Sequence, residues 1–407
     1  MRVLIVAPGT RGDVAPMAGL GARLQADYGF DVAIAANPAQ LALIESAGLE
    51  YRELAGDLGQ LVNPAPPGQK PKPADLRRYM NELAGYMDLG AYGTLAAAQA
   101  GADVVLANSI APYAFDVAEA LNIPAMGVFL QPIEPSRAYA PVTLGTARNF
   151  TAAGNKLLGS LIAHGPAPYD KPTARIRREL GLADKSRRRS EAERRRRDST
   201  ILHGFSPAVV PRPKDWRNGL QMTGYWWPDV DAAWSPPSEL EAFLADGPAP
   251  VFIGCGSTGA MGADFMLDVV ERAGVRAVLQ GVDGVSQRDA ISIGPVPHEW
   301  LFPRVSAAVH HGGAGTTAAA LRAGVPSVAV PIFTDQPFWA ARIHALGAGP
   351  EPIAYKNLAP AGLARAIRQA QTTESYAENA RGISRKLLAE DGVAPVAAAI
   401  ERVAGTN

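Results

Sequence analysis

Short β-branched runs followed by longer alanine- and leucine-rich stretches recur along this chain, and near residue 250 the alternation starts afresh. No other feature constrains the fold so tightly. Strands separated by helical crossovers pair in parallel, and a parallel sheet must be covered on both faces. In the first half the candidate strands are Arg2–Ala7, Asp31–Ala35, Val104–Ala107 and Pro124–Phe129, with helical patterns over Met17–Asp27 and Tyr113–Leu121. In the second they are Pro250–Gly254, Arg276–Gln280, Ala307–Val309 and Ser327–Pro331. The reading is two α/β parallel-sheet domains, and 407 residues exceed one ordinary core. The seam is "GYWWPDVDAAWSPPSELEAFLADGPAP", rich in proline, glycine and acids, where Trp226 and Trp227 are expected to pack between domains rather than stack on a ligand.

Charge narrows the partners. Lysine plus arginine equals aspartate plus glutamate at 39 each, so the molecule as a whole makes no electrostatic case for nucleic acid or an anionic membrane. A single cysteine, Cys255, leaves no internal disulfide and fits a reducing compartment. "MRVLIVAPGT" reads as a buried first strand rather than a signal peptide, and no run is long and apolar enough to span a bilayer. The expectation is a soluble, cytoplasmic protein. The proline-rich segment 63–75 reads as a surface loop. The basic segment 185–199, with Glu191 and Glu193 interleaved and no aromatics nearby, reads as a solvated helix or loop rather than an anion-binding arm.

Two glycine-rich turns follow strands. "VFIGCGSTGAMG" contains G-x-G-x-x-G at Gly254, Gly256 and Gly259, with Asp283 downstream, the pattern of a dinucleotide fingerprint. It falls in mid-chain, and the N-terminal strand ends instead in "PGTRGD". Bare backbone there also suits any phosphate, with Ser257 adding a hydroxyl. "VSAAVHHGGAGTTAAALRAGVPSVAVPIF" is a βαβ unit: Thr316 or Thr317 is expected to cap the helix and Gly324 to end it. Its helix start suits a phosphate or diphosphate, to which His311 would donate; a structural role for both histidines fits the pattern equally. A shared metal fits less well, since neighbouring residues at a strand end point oppositely. In "TDQPFWAAR", Asp335 and Gln336 leave the next strand's carboxyl end; they suit the hydroxyls of a sugar, and Asp335 also suits a helix cap.

The block "VPHEWLFPRVSAAVHHGGAGTTAAALRAGVPSVAVPIFTDQPFWAARIHALGAGP", with upstream "HGFSPAVVPRP" and "TGYWW", resembles the family 1 nucleotide-sugar glycosyltransferases of the GT-B fold. Within them it is most similar to bacterial sterol 3-beta-glucosyltransferase-like and antibiotic glycosyltransferases. The resemblance implies two Rossmann-like domains facing a cleft: an acceptor-binding domain over 1–222, a linker over 223–248, a donor-binding domain over 249–385, and a helix over 386–407 returning to the first domain. The 63–75 loop would border the acceptor mouth.

The resemblance also implies roles. Val296 and His298 would hold the nucleotide base. Gly256, Ser257, His311, Gly313, Gly315 and Thr316 would hold the diphosphate, approached across the cleft by Thr10, Arg11 and Gly12. Asp335 and Gln336 would bind the transferred sugar, and Asp13 would be the general base; the local alternative is that Asp13 caps a helix starting at Val14. The implied reaction is inverting and metal-independent, moving a sugar from UDP-glucose or a dTDP-sugar to a hydroxyl of a hydrophobic antibiotic, polyketide or sterol. No cofactor beyond that co-substrate, no nucleic acid and no integral membrane association is implied. The one D-x-D, Asp229 and Asp231, lies in the linker and reads as chance. A same-fold sugar-nucleotide epimerase, an NAD(P)-dependent oxidoreductase and a non-catalytic nucleotide-sugar-binding homologue are the alternative functions.

Overall fold

The computed structural model describes residues 1–56, 61, 72–230, 233–255 and 261–404. The first sheet holds β1 (Arg2–Val6), β2 (Asp31–Ala36), β3 (Glu50–Glu53), β4 (Val104–Ala107), β5 (Ala125–Phe129), β6 (Ile201–His203) and β7 (Leu220–Met222). Their spatial order is β3-β2-β1-β4-β5-β6-β7. The second sheet holds β8 (Val251–Gly254), β9 (Ala277–Gln280), β10 (Ala290–Ile293), β11 (Ala307–His310) and β12 (Ser327–Ala329), in the order β10-β9-β8-β11-β12. Every pairing is parallel. The two sheets thus share one winding, and in each the strand order reverses beside the first strand: between β1 and β4, and between β8 and β11. At such a reversal successive crossovers depart to opposite faces and leave a crevice at the carboxyl ends.

The strands legible in the sequence are those buried on both faces: Leu4, Ile5 and Val6 are fully buried, as are Val251 and Ile253. β3, β6, β7 and β10 escaped the pattern. β3 reads Glu-Tyr-Arg-Glu on a sheet edge, where no apolar run is required, and β6 and β7 are only three residues each. The first helix begins at Arg11 rather than Met17, because the Asp13 carboxylate turns back to accept the Thr10 N–H and stabilises the first turn. The linker contains a helix, Ser238–Ala245.

Trp226 is buried, with its indole N–H donating to the Gly392 carbonyl at 2.9 Å. The Arg322 guanidinium lies 4.4 Å above Trp227. Both tryptophans therefore serve packing. The helix Glu374–Ala389 runs unbroken through residue 386, held by Ser384 Oγ donating to the Arg322 carbonyl, so the chain leaves the second domain at Glu390–Gly392. The last helix, Ala394–Ala404, then buries Val396, Ala397 and Ile400 among Val14, Met17 and Leu20 of the first domain. A further apolar cluster joins Phe205, Val209 and Trp216 to Phe338, Trp339 and Ile343, and Arg342 Nε donates to the Val209 carbonyl at 2.8 Å. Among the described residues no helix is long and apolar enough to cross a membrane.

The 185–199 segment forms a helix, Arg187–Arg196, with Ser186 capping it. Arg187 is buried against Asp170 and Glu191, at 2.7 and 2.8 Å. Of the expected loop at 63–75, residues 63–71 lie outside the described residues, while Pro73–Asp75 open the helix Pro73–Gln99 rather than continuing a loop.

Gly19 lies where the linker crosses the first helix, and an added Cβ would collide with the Trp227 carbonyl, which is backbone and cannot swing aside. Gly19→Ala is expected to destabilise the fold by about 1–3 kcal/mol. Gly362→Ala, inside the helix Pro360–Thr372 where a Cβ meets nothing within 4 Å, is the control and should not lower the denaturation midpoint.

Candidate active site

At the β1/β4 crevice the chain turns through Gly9 at φ +130°, a conformation L side chains rarely adopt, and a Cβ there would lie 2.5 Å from Asp13 Oδ2. Thr10 donates to that same Oδ2 twice, from its N–H at 3.0 Å and its hydroxyl at 3.2 Å. No hydrogen bond among the described residues uses Oδ1. Asp13 is therefore the third residue of a helix that starts at Arg11, not a cap at Val14. Its carboxylate touches the cleft but is ringed by protein. Burial raises its pKa to about 6, against the pull of the two Thr10 bonds, and the negative charge of Asp335 adds to the rise.

Asn37, which ends β2's excursion, fixes this turn from behind. It is buried and uses all of its capacity: Oδ1 accepts the Gly9 N–H at 3.0 Å and the Tyr86 hydroxyl at 2.6 Å, while Nδ2 donates to the Leu54 and Gly56 carbonyls at 3.1 and 2.7 Å. At the end of β4, Asn108 keeps Nδ2 buried without a partner among the described residues.

Across the cleft, β11 ends at His310, which is wholly buried; its Nδ1 accepts the Gly312 N–H at 3.1 Å, so its own proton sits on Nε2. Burial, aided by His311 and His298, holds its pKa near 3. Gly312, at φ +80°, passes where a Cβ would stand 3.0 Å from the Gln336 carbonyl. The helix cap is Gly313, not Thr316 or Thr317, and its missing Cβ leaves room for His311 Nε2, which would otherwise be 2.5 Å away. Gly315 is exposed at the first turn and Thr316 half-buried beside it, whereas Thr317 turns inward; Gly324 ends the helix in the left-handed conformation.

His311 is lowered by burial and partly restored by Asp335. Val296 is buried in an apolar cluster with Phe252 and Phe302, and His298 stacks on Phe302 at 4.4 Å. Burial, then the charges of His311 and Arg11, depress His298 to about 4. Arg11 belongs to the first domain, exposed with Thr10 and Gly12 on its helix's first turn, so that turn faces the second domain. Gly256 and Ser257 lie outside the described residues, as does Asp231. Among the described residues no group of three His, Cys, Asp or Glu side chains is placed to hold a metal ion.

Asp335 is pinned by two donors: Trp339 Nε1 reaches Oδ2 at 2.8 Å and the Thr334 hydroxyl reaches Oδ1 at 3.1 Å. Thr334 itself sits at φ +51°, an uncommon conformation for a β-branched residue. Gln336 is turned into the protein. Its Oε1 accepts the Ile332 and Phe333 N–H groups at 2.8 and 3.2 Å, so its amide nitrogen is what remains for a ligand. The loop at Gly145 of the first domain approaches Thr334, within 3.6 Å of where a Cβ would be.

Sequence reasoning passed over Asn37 and Trp339. The available signal for Asn37 was a polar residue directly after an apolar strand. Asn37→Ala strands the Gly9 N–H, the Tyr86 hydroxyl and two carbonyls, and should cost about 1–3 kcal/mol in unfolding free energy.

The comparisons with known proteins bear on the fold and the family. Residues 270–403 match the "Erythromycin biosynthesis protein CIII-like, C-terminal domain" family. The O-mycaminosyltylonolide 6-deoxyallosyltransferase of Streptomyces fradiae is 34% identical over 427 residues, covering 100% of this chain and 98% of that protein. The sterol 3-beta-glucosyltransferase of Arabidopsis thaliana is 32% identical over 424 residues, but the 97% of this chain that aligns spans only 64% of that longer protein. Among solved structures, glycosyltransferase VinC in complex with dTDP superposes with a TM-score of 0.69 at 21% identity, covering 100% of each chain. Spinosyn forosaminyltransferase SpnP gives 0.72 at 16%, covering 100% of this chain and 99% of that one, and both show the GT-B fold. Two parallel-sheet domains opening on one cleft, and a full-length relative at this identity, place the chain in the family 1 nucleotide-sugar glycosyltransferases of the GT-B fold.

Proposed function

We propose that the enzyme transfers a hexosyl group, with inversion and without a metal ion, from a UDP- or dTDP-sugar to a hydroxyl of a hydrophobic small molecule such as a polyketide antibiotic or a sterol. The observation that carries this is Asp13: a carboxylate with one oxygen anchored, the other unused, and a pKa of about 6. In the reaction Asp13 Oδ1 takes the acceptor's hydroxyl proton as that oxygen forms its bond to the anomeric carbon. The bond from that carbon to the donor diphosphate breaks on the opposite face, through an oxocarbenium-like transition state.

The first domain, about 1–222, binds the acceptor and the second, about 249–385, the donor. The departing diphosphate is received by the N–H groups at Gly313–Gly315, the Thr316 hydroxyl and the His311 imidazole, with Thr10, Arg11 and Gly12 from across the cleft and with Gly256 and Ser257, which follow β8 in the sequence. These donors supply the charge stabilisation that other glycosyltransferases take from a metal. Val296 and His298 flank the base, while Asp335 and the Gln336 amide nitrogen hold the sugar hydroxyls. Resemblance to antibiotic and sterol glycosyltransferases supports the acceptor class, and a neighbour solved with dTDP supports that donor beside UDP-glucose.

The working form of Asp13 is the deprotonated one, so kcat/KM for an acceptor alcohol should rise with pH through about 6 and level off above it. Asp13→Asn should cut transfer roughly 10²–10⁴-fold while leaving nucleotide binding intact; full retained activity removes Asp13 from the role. His311→Ala should weaken dTDP or UDP binding by about tenfold, the worth of one hydrogen bond to a charged group, and calorimetry reads this directly.

A further inference from the structure

Two neighbouring helices of the first domain carry none of the residues assigned above to the cleft chemistry. The helix Ala152–Ala163 buries only Asn155 and Gly159. Gly159 rests against Pro135, at 3.1 Å for an added Cβ, and Asn155 Nδ2 donates to Asn149 Oδ1 at 2.7 Å. On the opposite side, Leu157 and Leu161 stand one turn apart and are 61% and 60% exposed. Phe150 and Leu144, on the preceding segment, are exposed as well. Singly exposed leucines are ordinary, but a helix presenting its apolar side to solvent is not.

The surroundings carry a charge bias. From Pro135 to Tyr169 the chain contains no aspartate or glutamate, while Arg137 and Arg148 fall within it. The arginine-rich helix Arg187–Arg196 lies alongside: Arg187 Nη2 donates to the Gly165 carbonyl at 3.0 Å, and in the shallow cavity between the helices Lys156 pairs with Asp215 at 3.0 Å and Arg195 with Glu134 at 3.6 Å. Its two acids are already engaged, Glu191 by Arg187 at 2.8 Å and Glu193 by Lys185 at 2.8 Å. Arg188, Arg189, Arg196 and Arg197 are exposed, Arg189 at 3.5 Å from Glu193. The balanced charge of the whole chain conceals this local excess.

Among the described residues Arg188, Arg196 and Arg197 have no carboxylate partner, and an apolar helix side next to such arginines matches the boundary of an anionic bilayer, where hydrocarbon takes the leucines and lipid phosphates take the guanidinium groups. We propose that this face docks the enzyme peripherally on anionic membrane. The leucines enter the acyl boundary and the arginines hold headgroup phosphates. Docking there would also bring the first domain to a phase into which apolar alcohols partition, although the surface stands apart from the assignment of Asp13.

The test is co-sedimentation with vesicles of phosphatidylcholine alone and of equimolar phosphatidylcholine and phosphatidylglycerol, at low and high salt. The expected result is binding to the anionic vesicles that weakens sharply with salt, and little binding to the neutral ones. Leu157→Ser with Leu161→Ser should weaken it at least tenfold or so. Arg188→Gln, Arg189→Gln, Arg196→Gln and Arg197→Gln together should weaken it by about two to three orders of magnitude. All six side chains are exposed, so both variants should keep the native thermal midpoint and the native transfer rate to a water-soluble acceptor. Absence of binding by the native chain, or binding unaltered in both variants, overturns the proposal. A dimer abolished by the leucine variant, with no vesicle binding, also overturns it and assigns the face to a second copy.

Discussion

The indole of Trp339 is the contact on which the cleft depends. Wholly buried, it packs edge-on against Phe205 of the first domain at 6.0 Å while its N–H holds the Asp335 carboxylate at 2.8 Å. One side chain thus belongs to the interdomain core and to the wall of the site. A rigid apolar body with one polar tip is what such a position needs. Because the core that joins the domains also orients Asp335, their relative placement and the local geometry cannot vary independently.

The wider logic is that of two sheets with the same winding, each offering its crevice to the other. From the first comes a carboxylate and from the second a set of N–H and imidazole donors. Neither crevice alone suffices for the proposed reaction. A base must face the attacking hydroxyl on one side of the anomeric carbon while donors receive the leaving group on the other. Placing these parts on separate domains lets the cleft admit two substrates and still present opposed groups.

Within the cleft, burial dominates the electrostatics and acts with opposite sign on acids and imidazoles. It raises Asp13, and it lowers His298, His310 and His311. The histidines are thereby kept neutral near pH 7, donors without net charge, and the carboxylate is brought closer to the pH at which a base works well. The Thr10 bonds oppose the rise of Asp13 and limit it.

Much of this was legible in the residues. Continuous apolar runs marked β1, β2, β4 and β8, since a parallel strand buried on both faces admits little else. The "HHGGAGTT" turn announced bare backbone at a helix start, because glycine adopts positive φ without steric cost and permits such close approach. What the one-dimensional pattern could not carry was partnership at long range. That Asn37 would brace Gly9 and Tyr86, that Gln336 would spend its oxygen on its own loop, and that Trp339 would hold Asp335 against another domain are matters of which groups meet. The linker tryptophans follow the same rule, packing on Gly392 and Arg322 from more than ninety positions away. Local periodicity and turn chemistry are written in neighbouring residues, so the sequence by itself determined the repeated βα architecture and its glycine turns. Burial, hydrogen-bond pairing and the field at each titratable group depend on atoms distant in the chain, and these the tertiary structure alone decided.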